Sequence, residues 1–297
     1  MPKTNLIDPR HLYHPNEFPE QTQDTPALQQ AMQPKPDCGE TSYVGHERLK
    51  DRNVLITGGD SGIGRAVAIA FAREGANIAF HYLPDEAPDA EEVKDLIEAE
   101  GRKAVLLPAD FRDADAPQDI VAAAIDALGS LDTLVLNAGQ QIQHQEIADL
   151  PMQQVHDTFM VNVEAMFAIV QAALPHLEPG STITTTTSIQ AFSPSPHLLD
   201  YAASKAAIAN YTLALAQKLT PEGIRVNGVA PGPIWTPLQL DHGQPEDKIP
   251  TFGQDALIGR AGMPVELAPV YVLLASNEAS YISGQIYGVI GGAPINP

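Results

Sequence analysis

From Asn53 onward the apolar positions fall into seven short runs, and each but the last is followed by a segment with a helical period. The runs are Val54–Ile56, Asn77–Phe80, Ala104–Leu107, Leu131–Leu136, Ser181–Thr185, Val226–Ala230 and Gln285–Ile290. Short continuous apolar runs suit strands covered on both faces, and their alternation with helices predicts right-handed βαβ units. The fold class is therefore α/β, a doubly wound parallel sheet of seven strands with helices on both faces. One stretch breaks the rhythm. Residues 233–264 carry Pro233, Pro237, Pro245, Pro250 and Pro264 among glycines and charges, and read as a substrate-binding loop.

Residues 1–48 follow no such period. They hold Pro2, Pro9, Pro15, Pro19, Pro26, Pro34 and Pro36, a density that excludes a helix or a central strand. The segment reads as an extended arm ahead of a single domain at 49–297. Tyr13, Phe18 and Tyr43 are its candidate anchors, to the parent domain or to a neighbouring subunit; a disordered tail is the alternative.

Composition narrows the partners. The 297 residues carry a formal net charge of −20 and a pI near 4.6, which argues against nucleic acid and anionic membranes. Cys38 is the only cysteine, so no intrachain disulfide forms, and no uncharged apolar run reaches membrane-spanning length. A cytoplasmic location is the expectation. His11, His14 and His144 lack companions at ligand spacing, so no metal site is predicted.

Two segments carry chemistry. After the first strand, Gly58, Gly62 and Gly64 permit a tight turn into a helix, whose unpaired N–H groups suit a pyrophosphate. Far downstream, Tyr201 and Lys205 stand four residues apart on one helix face. An ammonium beside a phenol favours proton exchange near neutral pH. Chance alone yields about 0.2 such pairs in a chain like this, so the spacing needs company. Ser188, thirteen residues before Tyr201, supplies some.

Thr57-Gly58 through Gly64, Asn137-Ala138-Gly139, Asn162, Ser188, Tyr201-x-x-x-Lys205 and Pro231-Gly232, in that order, resemble the short-chain dehydrogenase/reductase family over about residues 50–292. The arm, with Pro36-Asp37-Cys38-Gly39-Glu40 and Tyr43-Val44-Gly45, resembles a bacterial subgroup with an N-terminal extension. That subgroup includes general stress proteins, glucose or ribitol dehydrogenase homologues and aldehyde reductases. The resemblance implies a Rossmann-type domain and hydride transfer between NAD or NADP and a carbonyl or alcohol. It makes Tyr201 the proton donor or acceptor, Ser188 a hydrogen-bond donor to the substrate oxygen, and Lys205 the group that lowers the tyrosine pKa and holds the ribose. Asn162 would orient a water and the lysine. Cofactor contacts fall on Gly58, Asp60, Ser61, Gly62, Ile63, Gly64, Tyr82, Asp110, Asn137, Ala138, Gly139, Pro231, Gly232, Ile234 and Thr236. Leu136 departs from the family's asparagine and leaves one polar contact in doubt.

The cofactor choice stays open on sequence. Tyr82 stands where an acid would select NAD, yet no cation follows to hold a 2′-phosphate and Asp60 opposes one. Gln140–Gln145, Gln190, Phe192, His197 and Trp235 are the expected pocket lining, a mixture suited to a small polar carbonyl or a polyol. A dinucleotide-binding sensor without turnover is the rival reading. By resemblance the chain assembles as a homotetramer through helices at about 151–177 and 200–220.

Overall fold

The computed structural model describes residues 6–13 and 17–295; His14 and Pro15 of the arm, and Pro2, lie outside the described residues. The seven predicted strands form as β1 (Asn53–Thr57), β2 (Asn77–Tyr82), β3 (Ala104–Pro108), β4 (Thr133–Leu136), β5 (Thr182–Thr186), β6 (Arg225–Pro231) and β7 (Ile286–Val289). All neighbours pair in parallel, in the order β3-β2-β1-β4-β5-β6-β7. The strand order reverses between β1 and β4, and in such sheets ligands bind beyond the carboxyl ends at that reversal.

Pleating sorts each strand's side chains into two layers. Val54 and Ile56 of β1 join one apolar layer and Leu55 the other. The first layer is closed by α1 (Gly62–Arg73), α2 (Ala87–Ala99) and α7 (Ala268–Ala275). The second is closed by α3 (Ala116–Leu128), α5 (Ala165–Ala173) and α6 (Leu199–Leu219). Preceding α5, α4 (Met152–Phe159) continues through a π-helical turn, Met160–Glu164. The resulting helix, Met152–His176, is the one helix among the described residues long and apolar enough to cross a bilayer. Here it packs in the core, with Met166, Ile169 and Val170 in the second layer.

The arm lies on its own domain. Phe18, Ala27 and Met32 share a third, smaller core with Trp235, Leu240, Ile249, Ala261, Met263 and Val265 of the 233–264 excursion. Polar contacts lock its later part. Glu74, at the end of α1, accepts from the Tyr43 hydroxyl at 2.6 Å, from Arg48 Nη2 at 2.6 Å and from the His46 N–H at 2.8 Å. Burial pushes that carboxyl up, but the Arg48 and Tyr43 bonds prevail and hold it at about 2.

Candidate active site

The turn after β1 is built from its glycines. Gly58 and Gly62 adopt φ of +63° and +51°, conformations an L side chain rarely takes. Gly64 does not reach the cleft wall; a Cβ there would stand 1.7 Å from the Gly58 carbonyl oxygen, so it serves the close packing of helix on turn. Ser61 precedes α1 without capping it through its side chain. Arg65 is the first residue whose N–H bonds back into the helix, to Ser61, which leaves the earlier N–H groups facing outward. One of them, on Gly62, is taken at 2.7 Å by Oε1 of Gln29 from the arm.

Thr57 ties this turn to the end of β4. Its hydroxyl oxygen accepts from the N–H groups of Asn137 and Ala138, and Asn137 Nδ2 donates to the Gly58 carbonyl at 3.1 Å. Leu136, where the family pattern has an asparagine, is buried in the second apolar layer. On the β2 side, His81 stacks on Phe111 with ring centroids 3.9 Å apart. Its Nδ1 accepts from the Gly58 N–H at 3.2 Å and its Nε2 lies 3.1 Å from the Ala109 carbonyl, so the ring sits there as the neutral Nε2–H form. Burial holds its pKa down, at about 4.

The proton end lies on β5 and α6. Lys205 Nζ donates to the Thr186 carbonyl at 3.0 Å and stands 5.4 Å from the centroid of the Tyr201 ring. The Ser188 hydroxyl accepts from the Gln190 N–H at 3.1 Å, and it acts on the Tyr201 phenol by favouring its ionised form. In the protein alone, burial dominates both groups. Burial raises the Tyr201 pKa to about 12, opposed only by the Ser188 bond, and burial lowers Lys205 itself to about 8.

Asn162 occupies the π-helical turn, fully buried. Its Oδ1 accepts from the Gln140 N–H at 2.7 Å, and its Nδ2 donates to the Gln140 carbonyl and to Ser204 Oγ, each at 3.0 Å. The widened turn is what aims this side chain out of the helix at a loop. Gly139 keeps the neighbouring approach open: a methyl there would lie 3.3 Å from Lys205 Nζ and 3.4 Å from Asn162 Oδ1.

These elements enclose one cleft of about 340 Å³ beyond the carboxyl ends of the strands. Gly58, Asp60, Ser61, Gly62, Ile63, Asp110, Asn137, Ala138, Gly139, Ser188, Gln190, Tyr201, Lys205, Pro231, Gly232, Ile234 and Thr236 all line it. Five candidates do not. Gly64 and Asn162 stand behind the wall, as described. Tyr82 points into the first apolar layer because alternate residues of β2 face opposite ways, and His81 and Leu83 line the cleft in its place. His197 is exposed outside the cleft. Trp235 is wholly buried beneath the arm, its indole N–H donating to the Pro34 carbonyl at 2.9 Å, so it touches no substrate. Of the expected glutamine-rich wall, Gln140, Gln141 and Ile142 line the cleft, but Gln143–Gln145 and Phe192 do not.

Sequence reading missed Thr25 and Ala27 of the arm, His81, Glu86 and Asp241, all of which line the cleft. Thr25 Oγ1 donates to Asp241 Oδ1 at 2.5 Å, joining arm and excursion at the rim. No local pattern marks these positions; only the period-two alternation of β2 pointed to His81. Among the described residues no group of three or more His, Cys, Asp or Glu is placed to hold a metal ion.

The cleft fits a dinucleotide. A glycine turn presents outward N–H groups, an ammonium stands at the opposite end, and Asp60 Oδ2 is a buried acceptor aimed at neither protein donor nor bulk water. A family model described as Enoyl-(Acyl carrier protein) reductase matches residues 58–293. An uncharacterized oxidoreductase of Bacillus subtilis, YhxD, is 56% identical, covering 99% of each chain. A glucose and ribitol dehydrogenase homolog of Oryza sativa is 42% identical over 94% of this chain and 98% of its own. A crystal structure from Burkholderia cenocepacia, in complex with NADP, is 34% identical with a TM-score of 0.77, covering 82% of this chain and 98% of its own.

Proposed function

The chain belongs to the short-chain dehydrogenase/reductase family and is an NAD(P)-dependent oxidoreductase acting on CH–OH or C=O groups; from that premise we propose that it interconverts a small polar carbonyl and its alcohol, with Tyr201 as the proton donor and acceptor. The observation that carries this reading is the convergence of Tyr201, Ser188 and Lys205 on the cleft that the glycine turn opens. When bound, the nicotinamide supplies or accepts the hydride. Ser61 and Ile63 would hold the diphosphate, with Gly58 and Gly62 shaping the turn for its close approach, and Lys205 with Asn137–Gly139 the nicotinamide end.

The remaining chemistry belongs to the chain. In reduction, charge develops on the substrate oxygen, and a positioned acid beside a second donor stabilises it. Tyr201 gives its proton to that oxygen; Ser188, oriented by Gln190, donates a hydrogen bond to it. Lys205, with its ammonium 5.4 Å from the Tyr201 ring, stabilises the phenolate left when that proton is given. Asn162 fixes Gln140 at the cleft wall and faces Lys205 across Gly139, which suits it to orient a water on the proton path.

Gln140, Gln141, Gln190, Gln239 and Gln244 give the substrate end polar walls, beside Leu198 and Phe252. Such walls suit an aldehyde, a sugar or a polyol better than a long acyl chain. The rice relative's name agrees with that class. The test is dinucleotide absorbance against a panel of aldehydes, ketones, sugars, polyols and acyl thioesters, with wild type and Tyr201→Phe. Turnover of short polar carbonyls, lost in the variant, is expected. Activity confined to long acyl thioesters, or full activity without the phenol, would sink the proposal.

We also propose assembly as a homotetramer. Phe167 of α5 and Tyr211 of α6 pack with ring centroids 3.9 Å apart and planes tilted by 30° on one outer face, with Phe167 and Leu213 exposed, which supports a buried contact there. Light scattering decides it: a Phe167→Asp variant should run smaller than wild type.

A further inference from the structure

We propose that Asp200 sets the direction of the hydrogen bonds behind the substrate wall, so that Gln140 and Gln141 offer acceptors to a hydroxyl of the substrate. The inference rests on the carbonyl–alcohol reading above and narrows its substrate to a carbonyl compound that carries hydroxyls. Asp200 immediately precedes Tyr201 in the first turn of α6, yet its side chain is buried and does not line the cleft. It is a positioning residue, acting through others.

A carboxylate only accepts hydrogen bonds. Asp200 Oδ2 accepts from Thr158 Oγ1 at 2.7 Å and from Gln154 Nε2 at 3.1 Å, both on α4. The one hydroxyl proton of Thr158 is thereby committed to Asp200, and the Thr158 oxygen is left to accept. Gln140 Nε2 donates to it at 3.4 Å. Gln140 therefore turns its amide nitrogen inward, and its Oε1 is the end left for the cleft that this residue lines. Gln154 follows the same logic. Its Nε2 also donates to the Ile142 carbonyl at 3.3 Å, which leaves its Oε1 to His144 Nε2 at 2.6 Å. One buried carboxylate thus ties the start of the Tyr201 helix to both ends of the segment 140–144.

Two further glutamines are oriented by backbone groups, whose roles cannot reverse. Gln141 Nε2 donates to the Gly243 carbonyl at 2.8 Å, so its Oε1 is again the free end. Gln190 is the opposite case: its Oε1 accepts from the Ser195 N–H at 2.6 Å, and its amide nitrogen is left to donate. Both residues line the cleft. Among the described residues, no protein group bonds Oε1 of Gln140 or Gln141 or Nε2 of Gln190. Two acceptors and a donor match hydroxyls, which donate and accept at once. An alkyl chain of the same length leaves all three unpaired, and a site built to bond a substrate hydroxyl rejects the analogue that lacks it.

The experiment is steady-state reduction by the full chain, with NADH and NADPH in turn, of aldehydes paired by length: glyceraldehyde with propanal, erythrose with butanal, ribose with pentanal. Each pair yields a ratio of kcat/KM, hydroxylated over plain, and comparing that ratio between wild type and variant cancels the intrinsic reactivity of the aldehydes. Wild type is expected to favour the hydroxylated member by at least about 100-fold in one pair or more. Thr158→Val keeps the shape of the side chain but removes its proton, and Asp200→Asn can donate where the carboxylate accepts. Each should lower the ratio at least about tenfold. Thr158→Ser keeps the hydroxyl and should restore the ratio. Dinucleotide affinity, read by titration, should not change, whereas a merely structural defect would lower both members of a pair alike. Thermal melting and circular dichroism confirm folding; Gln140→Met, which removes the acceptor at the cleft itself, is the second measurement if the buried variants do not fold. Equal or better use of the plain aldehydes by wild type, or an unchanged ratio in the folded variants, overturns the inference while the carbonyl–alcohol reading stands. Failure of wild type to reduce any member of the panel would overturn both.

Discussion

Phe18 of the arm stacks on Trp235 of the long excursion, ring centroids 3.9 Å apart and planes 11° from parallel. The contact joins residues 217 positions apart in sequence, the difference between those two numbers. It turns a proline-rich arm into a wall of the cleft, since Thr25 and Ala27 follow from the anchored ring to the cleft rim. Arg260 holds the segment before it, donating to the Pro9 carbonyl at 2.8 Å and lying over the Tyr13 ring.

That stack predicts coupling between arm and cofactor. Trp235→Ala should cost about 3–5 kcal/mol of stability, as large buried aromatics do. Phe18→Ala should release the arm to limited proteolysis ahead of residue 40 and weaken dinucleotide binding while the domain stays folded. An arm that stays protease-resistant in Phe18→Ala would show that the stack is not its anchor.

The burial of Tyr201 predicts a high phenol pKa in the protein alone. The phenolate absorbance present in wild type but missing in Tyr201→Phe should not grow in below a pH of about 11 without dinucleotide. Oxidised dinucleotide should bring it down by at least about two pH units, because it adds a cation that burial alone lacks. A phenol already titrating near neutrality in the unliganded protein would restore Lys205 as sufficient.

The two bonds from Asn162 to the Gln140 backbone predict a stability and positioning defect in Asn162→Ala. Each buried backbone group left unpaired costs about 1–3 kcal/mol. Gln140 lines the cleft, so KM should rise together with a fall in kcat, and Asn162→Asp, which keeps the Oδ1 acceptor, should recover part of both. Loss of stability with unchanged kinetic constants in the folded fraction would confine Asn162 to a structural role.

His81 predicts an acid-side loss of stability. Its folded pKa of about 4 lies below the ordinary value of 6.5 that applies to the unfolded chain, so the unfolded chain takes up the proton first as pH falls. The stabilisation is complete above pH 6.5 and drains away as pH drops through 4. It amounts to about 3 kcal/mol at roughly 1.4 kcal/mol per pH unit. Asp60 and Glu86, shifted upward by burial, act in the opposite sense over an overlapping range, so the informative quantity is the difference between wild type and His81→Asn. The variant keeps an acceptor for the Gly58 N–H and should lose less stability between pH 7 and 4 in denaturant titrations. Parallel curves would remove His81 from the acid response.

The periodicity of the chain was enough for the sheet. Every apolar run became a strand, because strands buried on both faces need continuous apolar sequence wherever they sit. The proton pair and the glycine turn were legible for a similar reason. A four-residue helical spacing and a turn demanding positive φ are local requirements that local sequence must meet. The errors fell where packing between distant segments decides the outcome. Tyr82 was assigned to the cleft from its place at a strand end, but the pleat turns it away and delivers His81. Trp235 was assigned to substrate, but the arm offers a ring to stack on, and burying both outweighs leaving either at a wet cleft. Asp60 was legible as an acid in the glycine turn; that its Oδ2 is buried without a donor, with Glu86 beside it and Arg65 already paired, belongs to the tertiary structure alone. Sequence determines which elements form and which groups they carry. Which groups face one another across segments is fixed only by the folded chain, where distant side chains compete for the same partners and the same dry space.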